Sequence, residues 1–397
     1  MVKHKFFLLL IILLPLPLFA GTGSIEIIKQ TIQINQKNIE VNVPKDYVLE
    51  ILTTSLERPR MLAFDEAGNL LIGSRSDNVY RLSPPYTSPT VLIELSDYPH
   101  SVDFRQGEIL IAQNQGLYRS PYQPGQKTLD EDELQLLAQV PGGFFGHSSR
   151  TVRVGPDNKI YLSLGITGNC SDEYIDPSYP KGKRRGGVMV LNESSSGSTW
   201  QAYASGLRNP VGFDWHPHTE VMYASNNGPD HLGFEKPPEY FSQLLPGSFH
   251  GMPWYQYDGQ EVLRDRCIRS NPPRADVTRP VATFPARNAP MAVAFVPDGA
   301  MDEKFQGDAI VALHGSWGTL PDGGSSGHPS TRRPPKIVMV RFDNGKPIRV
   351  DDLITGFQDE TGQRWARPIG AAIGPDGALY FTSDGGEIQG LFRLRKQ

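Results

Sequence analysis

RPIGAAIGPDGALYFTS, residues 367–383, consists of two apolar-alternating runs joined by the turn Pro375-Asp376-Gly377. Alternation with a period of two marks a half-buried strand, and Asp-Gly supplies the positive-φ residues of a tight hairpin. The same unit recurs as RPRMLAFDEAGNLLIGS (58–74), PHSVDFRQGEILIAQ (99–113), HSSRTVRVGPDNKIYLSLG (147–165), RNPVGFDWHPHTEVMYAS (208–225) and APMAVAFVPDGAMDEKFQGDAIVAL (289–313). Most copies are followed by a third apolar run: NVYRL, GLYRS, GVMVL, KIVMVRF or GLFRL. A short β-unit repeated at such spacing cannot bury its faces alone, and it signals a propeller or a solenoid. Six copies predict an all-β, six-bladed β-propeller; a sandwich of accidentally similar hairpins is the weaker alternative.

Loops of unequal length stretch the repeat. The insertions fall at 166–186 in the third blade, 226–286 between the fourth and fifth, and 318–334 in the fifth, so long loops are expected on one face. Residues 24–50 read as strand-like runs leading into the body, and the short KTLDEDELQLLAQV (127–140) carries a helical period.

With 397 residues, 38% hydrophobic and 21% charged, the chain is neither disordered nor a membrane bundle. Gly 40 and Pro 34 suit a turn-rich β-protein, and a net charge of -4 argues against a nucleic-acid surface. Lys3, His4 and Lys5 precede the apolar run Phe6 to Leu18, with a cleavable end near Ala20. That layout predicts a signal peptide over 1–20, a single propeller domain over 21–397, no membrane span after cleavage, and a periplasmic or secreted protein. Two cysteines, Cys170 and Cys267, lie in insertions on neighbouring sectors, and in an oxidising compartment they are expected to pair.

The repeat also places residues. Just before the first strand of each copy stand Arg58 and Arg60, His100, His147, Arg208 with Asn209, Arg287 with Asn288, and Arg367. If the first strand is innermost, these side chains converge on the mouth of the central channel. Such a ring is an electropositive funnel for an anionic ligand, because the planar fork of Arg matches a carboxylate. For any one member, a plain strand-end hydrogen bond explains the residue equally well.

GHSSRTVRVGPDNKIYLSLG, SGLRNPVGFDWHP, NNGPD, GDAIVALHGSWG and ARPIGAAIGPDGALYFTSDGG together resemble the soluble glucose/sorbosone dehydrogenase family, nearer to its sorbosone-dehydrogenase-like branch. The family consists of six-bladed propellers that oxidise sugars with pyrroloquinoline quinone (PQQ) and calcium. The resemblance implies that His147 is the catalytic base, and that Arg208 and Asn209 touch the reactive edge of the cofactor. It implies Arg367 on the cofactor's carboxylates, and Gly228 and Pro229 as carbonyl donors to calcium. A small sugar substrate and an external electron acceptor are the partners it implies.

The chain departs from the pattern in three places. The second arginine of the family's final motif falls on Trp365, beside Arg364. An Asp that partners the base in some members falls on Ile166, with Asp172 and Glu173 near only in sequence. The cofactor-binding lysine has no match near His314-Gly315-Ser316-Trp317, where Arg332, Arg333 or Lys336 could substitute from the loop. Two other functions stay open at this point: a calcium-dependent hydrolase of the lactonase type, and a propeller that binds a ligand without catalysis.

Overall fold

The structure, a computed structural model, describes residues 24–143, 146–195, 197–318, 320 and 327–397; the expected signal segment lies outside them. The strands form six antiparallel blades in chain order. Blade one holds Pro59–Phe64, Leu70–Ser74, Asn78–Leu82 and Thr90–Glu94, and blade two Ser101–Arg105, Glu108–Ala112, Gly116–Pro121 and Gln135–Gln139. Blade three holds Val152–Val154, Ile160–Leu164, Gly187–Ser194 and Gly197–Ser205; blade four Phe213–Trp215, Met222–Asn226, Glu239–Leu244 and Ala282–Phe284. Blade five is Pro290–Phe295, Ala309–Leu313, Lys336–Asp343 and Lys346–Ile354. Blade six is Pro368–Ile373, Leu379–Ser383 and Gly390–Lys396, completed by Tyr47–Thr53 from the start of the chain.

First strands of neighbouring blades pack on one another around the axis. Second strands such as Ile160–Leu164 and Ala309–Leu313 are buried at every residue, whereas the outer strand Gln135–Gln139 is largely exposed. Burial therefore peaks at the second strands and falls towards the outer edge, as the apolar runs of the repeat require. The ring closes where Leu49 of Tyr47–Thr53 pairs with Leu394. The preceding hairpin, Ile27–Ile34 with Lys37–Pro44, buries Ile32, Ile34, Val41 and Val43 in the core beneath blades five and six.

Two expectations need correction. KTLDEDELQLLAQV is no helix: a single 3₁₀ turn, Glu131–Glu133, capped by Asp130, leads into the outer strand of blade two. Its leucines serve a sheet edge, where strand pairing outweighs a weak helical period. The long 226–286 insertion does not lie between blades four and five. It contains both outer strands of blade four, Glu239–Leu244 and Ala282–Phe284.

In an antiparallel blade, the second-to-third connections share a face with the entry to each first strand. Segments 165–186, 227–238 and 314–335 are such connections. Segment 245–281 leaves from the opposite face and climbs the rim, where Ser248–Phe249 runs parallel to Ala204 and Ser205. At the top, Tyr174, Phe249, Trp254 and Ile268 form a satellite core, and Cys170 and Cys267 are bridged as expected. Among the described residues no helix is long and apolar enough to cross a membrane.

Candidate active site

A cavity of about 600 Å³ opens at the end of the ring where the chain enters the first strands. Among the described residues its wall carries six arginines (Arg58, Arg60, Arg75, Arg208, Arg287 and Arg367) against three carboxylates, those of Asp230, Glu239 and Asp384. A recess with low-dielectric walls and surplus positive charge focuses its field on anions.

His147 enters this recess on a loop that two glycines make possible. Gly146 has φ 76°, and a Cβ there would lie 2.0 Å from the Thr167 carbonyl oxygen. A Cβ on Gly165 would lie 2.5 Å from Asn209 Oδ1 and 2.7 Å from the His147 Cβ. The His147 ring donates from Nδ1 to the Ile166 carbonyl at 2.5 Å, which leaves Nε2 as the lone-pair nitrogen. Burial, and then the Arg208 charge, push its pKa down to about 3, so the ring is neutral. Its own carbonyl accepts from Arg150 Nη1 at 2.8 Å and Arg185 Nη2 at 3.1 Å. Where relatives of the pattern place an Asp, a main-chain carbonyl orients the base.

Arg208 and Asn209 are both buried in the wall. Arg208 Nη2 donates to Asn169 Oδ1 at 2.7 Å and Nη1 to the Asn227 carbonyl at 3.4 Å, while its buried Nε has no partner among the described residues. Asn209 is pinned through its backbone by Asn226 and Asn227, at 3.0 and 3.2 Å.

Opposite lies a second polar network. Arg367 Nη2 donates to His314 Nδ1 at 2.8 Å; a guanidinium cannot accept, so that nitrogen carries no proton. His314 therefore donates from Nε2 to Asp384 Oδ1 at 2.6 Å, and Arg60 Nη1 reaches Asp384 Oδ2 at 2.7 Å. Burial, and then Arg367, push His314 down to about 4. Burial works to raise Asp384, but His314 and Arg60 hold it well below the ordinary carboxylate range. Arg60 Nη2 also donates to Ser149 Oγ at 2.7 Å, which ties blade one to the His147 loop.

The turn at Gly228 closes the floor. Glu239 accepts from the Gly228 N–H, and burial pushes this carboxyl up to about 7 despite that bond and the nearby Arg208. Arg287 donates to the Pro229 and Gly233 carbonyls and, at 2.8 Å, to that of Lys236.

Of the residues singled out in the sequence, the structure gathers Arg58, Arg60, His147, Arg208, Asn209, Gly228, Arg287 and Arg367 around one cavity. His100 is not among them: it is buried behind the wall with neither ring nitrogen partnered among the described residues. Asn288 turns away and donates to the Pro334 carbonyl at 3.1 Å. Arg332 is also outside; its guanidinium donates to the Gly362 carbonyl at 3.0 Å. Arg333 pairs with Glu235 and Lys336 with Asp352, at 2.8 and 2.6 Å, and neither lines the cavity. His314 occupies that part of the wall instead. Trp365 is core, and Arg364 braces the Ser316 carbonyl from behind. Arg75, Asp230, Glu239 and Asp384 were not foreseen, since Arg75 and Asp384 follow second strands, Asp230 lies in an insertion and Glu239 opens a third strand, outside the register that marks the first-strand entries.

The fold matches known proteins over most of its length. The holo form of the pyranose dehydrogenase PQQ domain from Coprinopsis cinerea superposes with a TM-score of 0.70 at 20% identity, covering 90% of this chain and 97% of that one. A calcium structure of the Trichoderma reesei carbohydrate-active enzyme family AA12 gives 0.70 at 19% identity, covering 89% and 96%. The soluble aldose sugar dehydrogenase of Escherichia coli, in its apo-form, gives 0.63 at 14%, covering 88% and 100%. At these identities the likeness is one of fold. The TrAA12-like family model matches residues 41–240, about half of the sequence, and the chain belongs to that family.

Proposed function

We propose that this protein is a sugar dehydrogenase that uses PQQ and calcium and passes electrons to an external acceptor. In this reading residues 1–20 are a signal peptide, residues 21–397 are one propeller domain, and the enzyme works in the periplasm or outside the cell. The observation that carries the reading is a neutral, carbonyl-oriented His147 in the same cavity as a surplus of arginines. The solved relatives whose names specify a PQQ domain, a calcium structure and an aldose dehydrogenase support it.

The cavity residues fit the cofactor. PQQ is a planar polycarboxylate, and the unpartnered buried Nε of Arg208 is a donor with nothing yet to serve. Arg208, Asn209 and Arg367 would hold it together with Arg60 and His314 of the same cavity wall; Arg332, which does not line the cavity, is left out of the set. Gly228, Asp230 and Glu239 offer the hard oxygens calcium prefers. The Pro229 carbonyl, the other expected donor, accepts from Arg287, which leaves one of its two lone pairs for a cation. When bound, PQQ supplies a two-electron acceptor for the hydride lost from the sugar carbon. His147 Nε2 takes the proton of the sugar hydroxyl. An anionic ligand offsets the arginine charges and so removes their share of the depressed proton affinity of His147, while burial, the larger cause, keeps the ring neutral.

The test is reconstitution. Cofactor absorbance followed after adding PQQ, calcium and a panel of aldoses should show sugar-dependent reduction. Calorimetry should show tighter calcium binding with PQQ present, since the cofactor neutralises the arginines around the turn. A protein that binds PQQ yet reduces it with no aldose or sugar aldehyde overturns the dehydrogenase assignment.

A further inference from the structure

We propose that Asn169 is a positioning residue for Arg208, and that the Cys170–Cys267 bridge holds it in place. The proposal rests on reading Arg208 as a cofactor ligand. Asn169 belongs to the third-blade insertion and does not line the cavity. Its Oδ1 accepts from Arg208 Nη2 at 2.7 Å and from the Asp230 N–H at 3.0 Å, so both lone pairs are used. The other polar contacts of Arg208 are longer: 3.4 Å to the Asn227 carbonyl and 3.8 Å to the Asp230 carboxylate. A long side chain with one short bond takes its orientation from that bond.

The bond is itself anchored. Cys170 follows Asn169 directly and is bridged to Cys267, 97 residues away in the fourth-blade insertion. The Cys267 N–H donates to Asp265 Oδ1 at 3.1 Å, and Asp265 Oδ2 meets His231 Nε2 at 2.9 Å. His231 follows Asp230, whose N–H returns to Asn169. The contacts make a closed circuit on the cavity rim, with the disulfide as its covalent link. Ser270 Oγ to Asp172 Oδ1, at 2.9 Å, is a further hydrogen bond between the two insertions. Without the bridge, the two insertions stay joined by such bonds and by Tyr174 packed on Phe249 and Trp254, but no covalent link fixes Asn169 beside Arg208.

The test has two readouts on the full chain. The first is the PQQ dissociation constant, from quenching of protein fluorescence at saturating calcium and without sugar. Asn169→Ala should weaken binding about 10- to 100-fold, the worth of a hydrogen bond to a charged group. Asn169→Asp keeps the acceptor and should restore affinity to within about threefold of the parent. In an Arg208→Ala background, Asn169→Ala should add less than about twofold, because residues that act through one another are not additive. Cys170→Ala should match Asn169→Ala and add little to it.

The second readout needs no cofactor: the rate at which phenylglyoxal modifies Arg208, mapped by mass spectrometry. It should rise in Asn169→Ala and in the thiol-reduced parent, and stay low in Asn169→Asp. An unchanged modification rate, or additive losses in the cycle, overturns the proposal. A parent that binds no PQQ but shows the modification pattern supports the positioning role and removes the cofactor reading instead.

Discussion

His147 and His314 face the same cavity with opposite tautomers, and the cause in each case is the partner of Nδ1. A carbonyl can only accept, so His147 keeps its Nδ1 proton and offers Nε2 as a base; a guanidinium can only donate, so His314 is locked the other way. His147→Ala should lower turnover by roughly 10²–10⁴-fold, with PQQ affinity nearly intact, in rates measured at saturating cofactor and sugar. Arg208→Ala should weaken both. A His147→Ala variant that turns over at the parental rate would mean that the residue only shapes the loop. His147 was legible in the sequence because the repeat marks the entry to a strand. His100 stands in the corresponding place and was misjudged. It abuts Ser101–Arg105 directly, wedged among inner strands, whereas His147 sits earlier on a loop opened by Gly146. The repeat conveys register, but not how far along the entry loop a side chain emerges.

At the scale of the element, the blades were readable and the insertions were not. Alternation and Asp-Gly or Asn-Gly turns predict a hairpin from a few residues, whereas the 245–281 climb along the rim has no period to read. Its fold depends on a satellite core around Trp254, which is 1% exposed and donates from Nε1 to the Ser270 carbonyl at 2.9 Å. The disulfide was the exception, because two cysteines leave one pairing. Trp254→Ala should remove about 3–5 kcal/mol of packing from that cluster. The expected outcome is rapid proteolysis within 245–281 while the blades keep their far-ultraviolet signature. Equal protease resistance in variant and parent would show that the insertion is held by the propeller alone.

For the whole molecule, acid is the predicted weakness. His250 and His314 are both pushed down to about 4, chiefly by burial, and His147 to about 3. An unfolded chain takes up these protons near pH 6.5, whereas the folded chain refuses them. The stability they lend is therefore complete above about pH 6.5 and drains away as pH falls towards 4. Glu239, pushed up to about 7, works in the opposite sense over pH 4.5 to 7 and blunts the slope. The melting temperature should decline between pH 6.5 and 4, and His250→Gln should flatten that decline. A melting temperature independent of pH over this window would show that the buried rings titrate normally.

The latch of the ring also sets an order of events. Tyr47–Thr53 is made before the other strands of every blade, and its partner Gly390–Lys396 only after the other five blades. Until Gly390–Lys396 is made, the early strand has an unpaired edge and the propeller stays an open horseshoe. Closing it must overcome the entropy of bringing the two ends of the chain together. The native ring therefore waits for Gly390–Lys396, and deletion of that strand should leave an edge that pairs with other molecules instead of with Tyr47–Thr53.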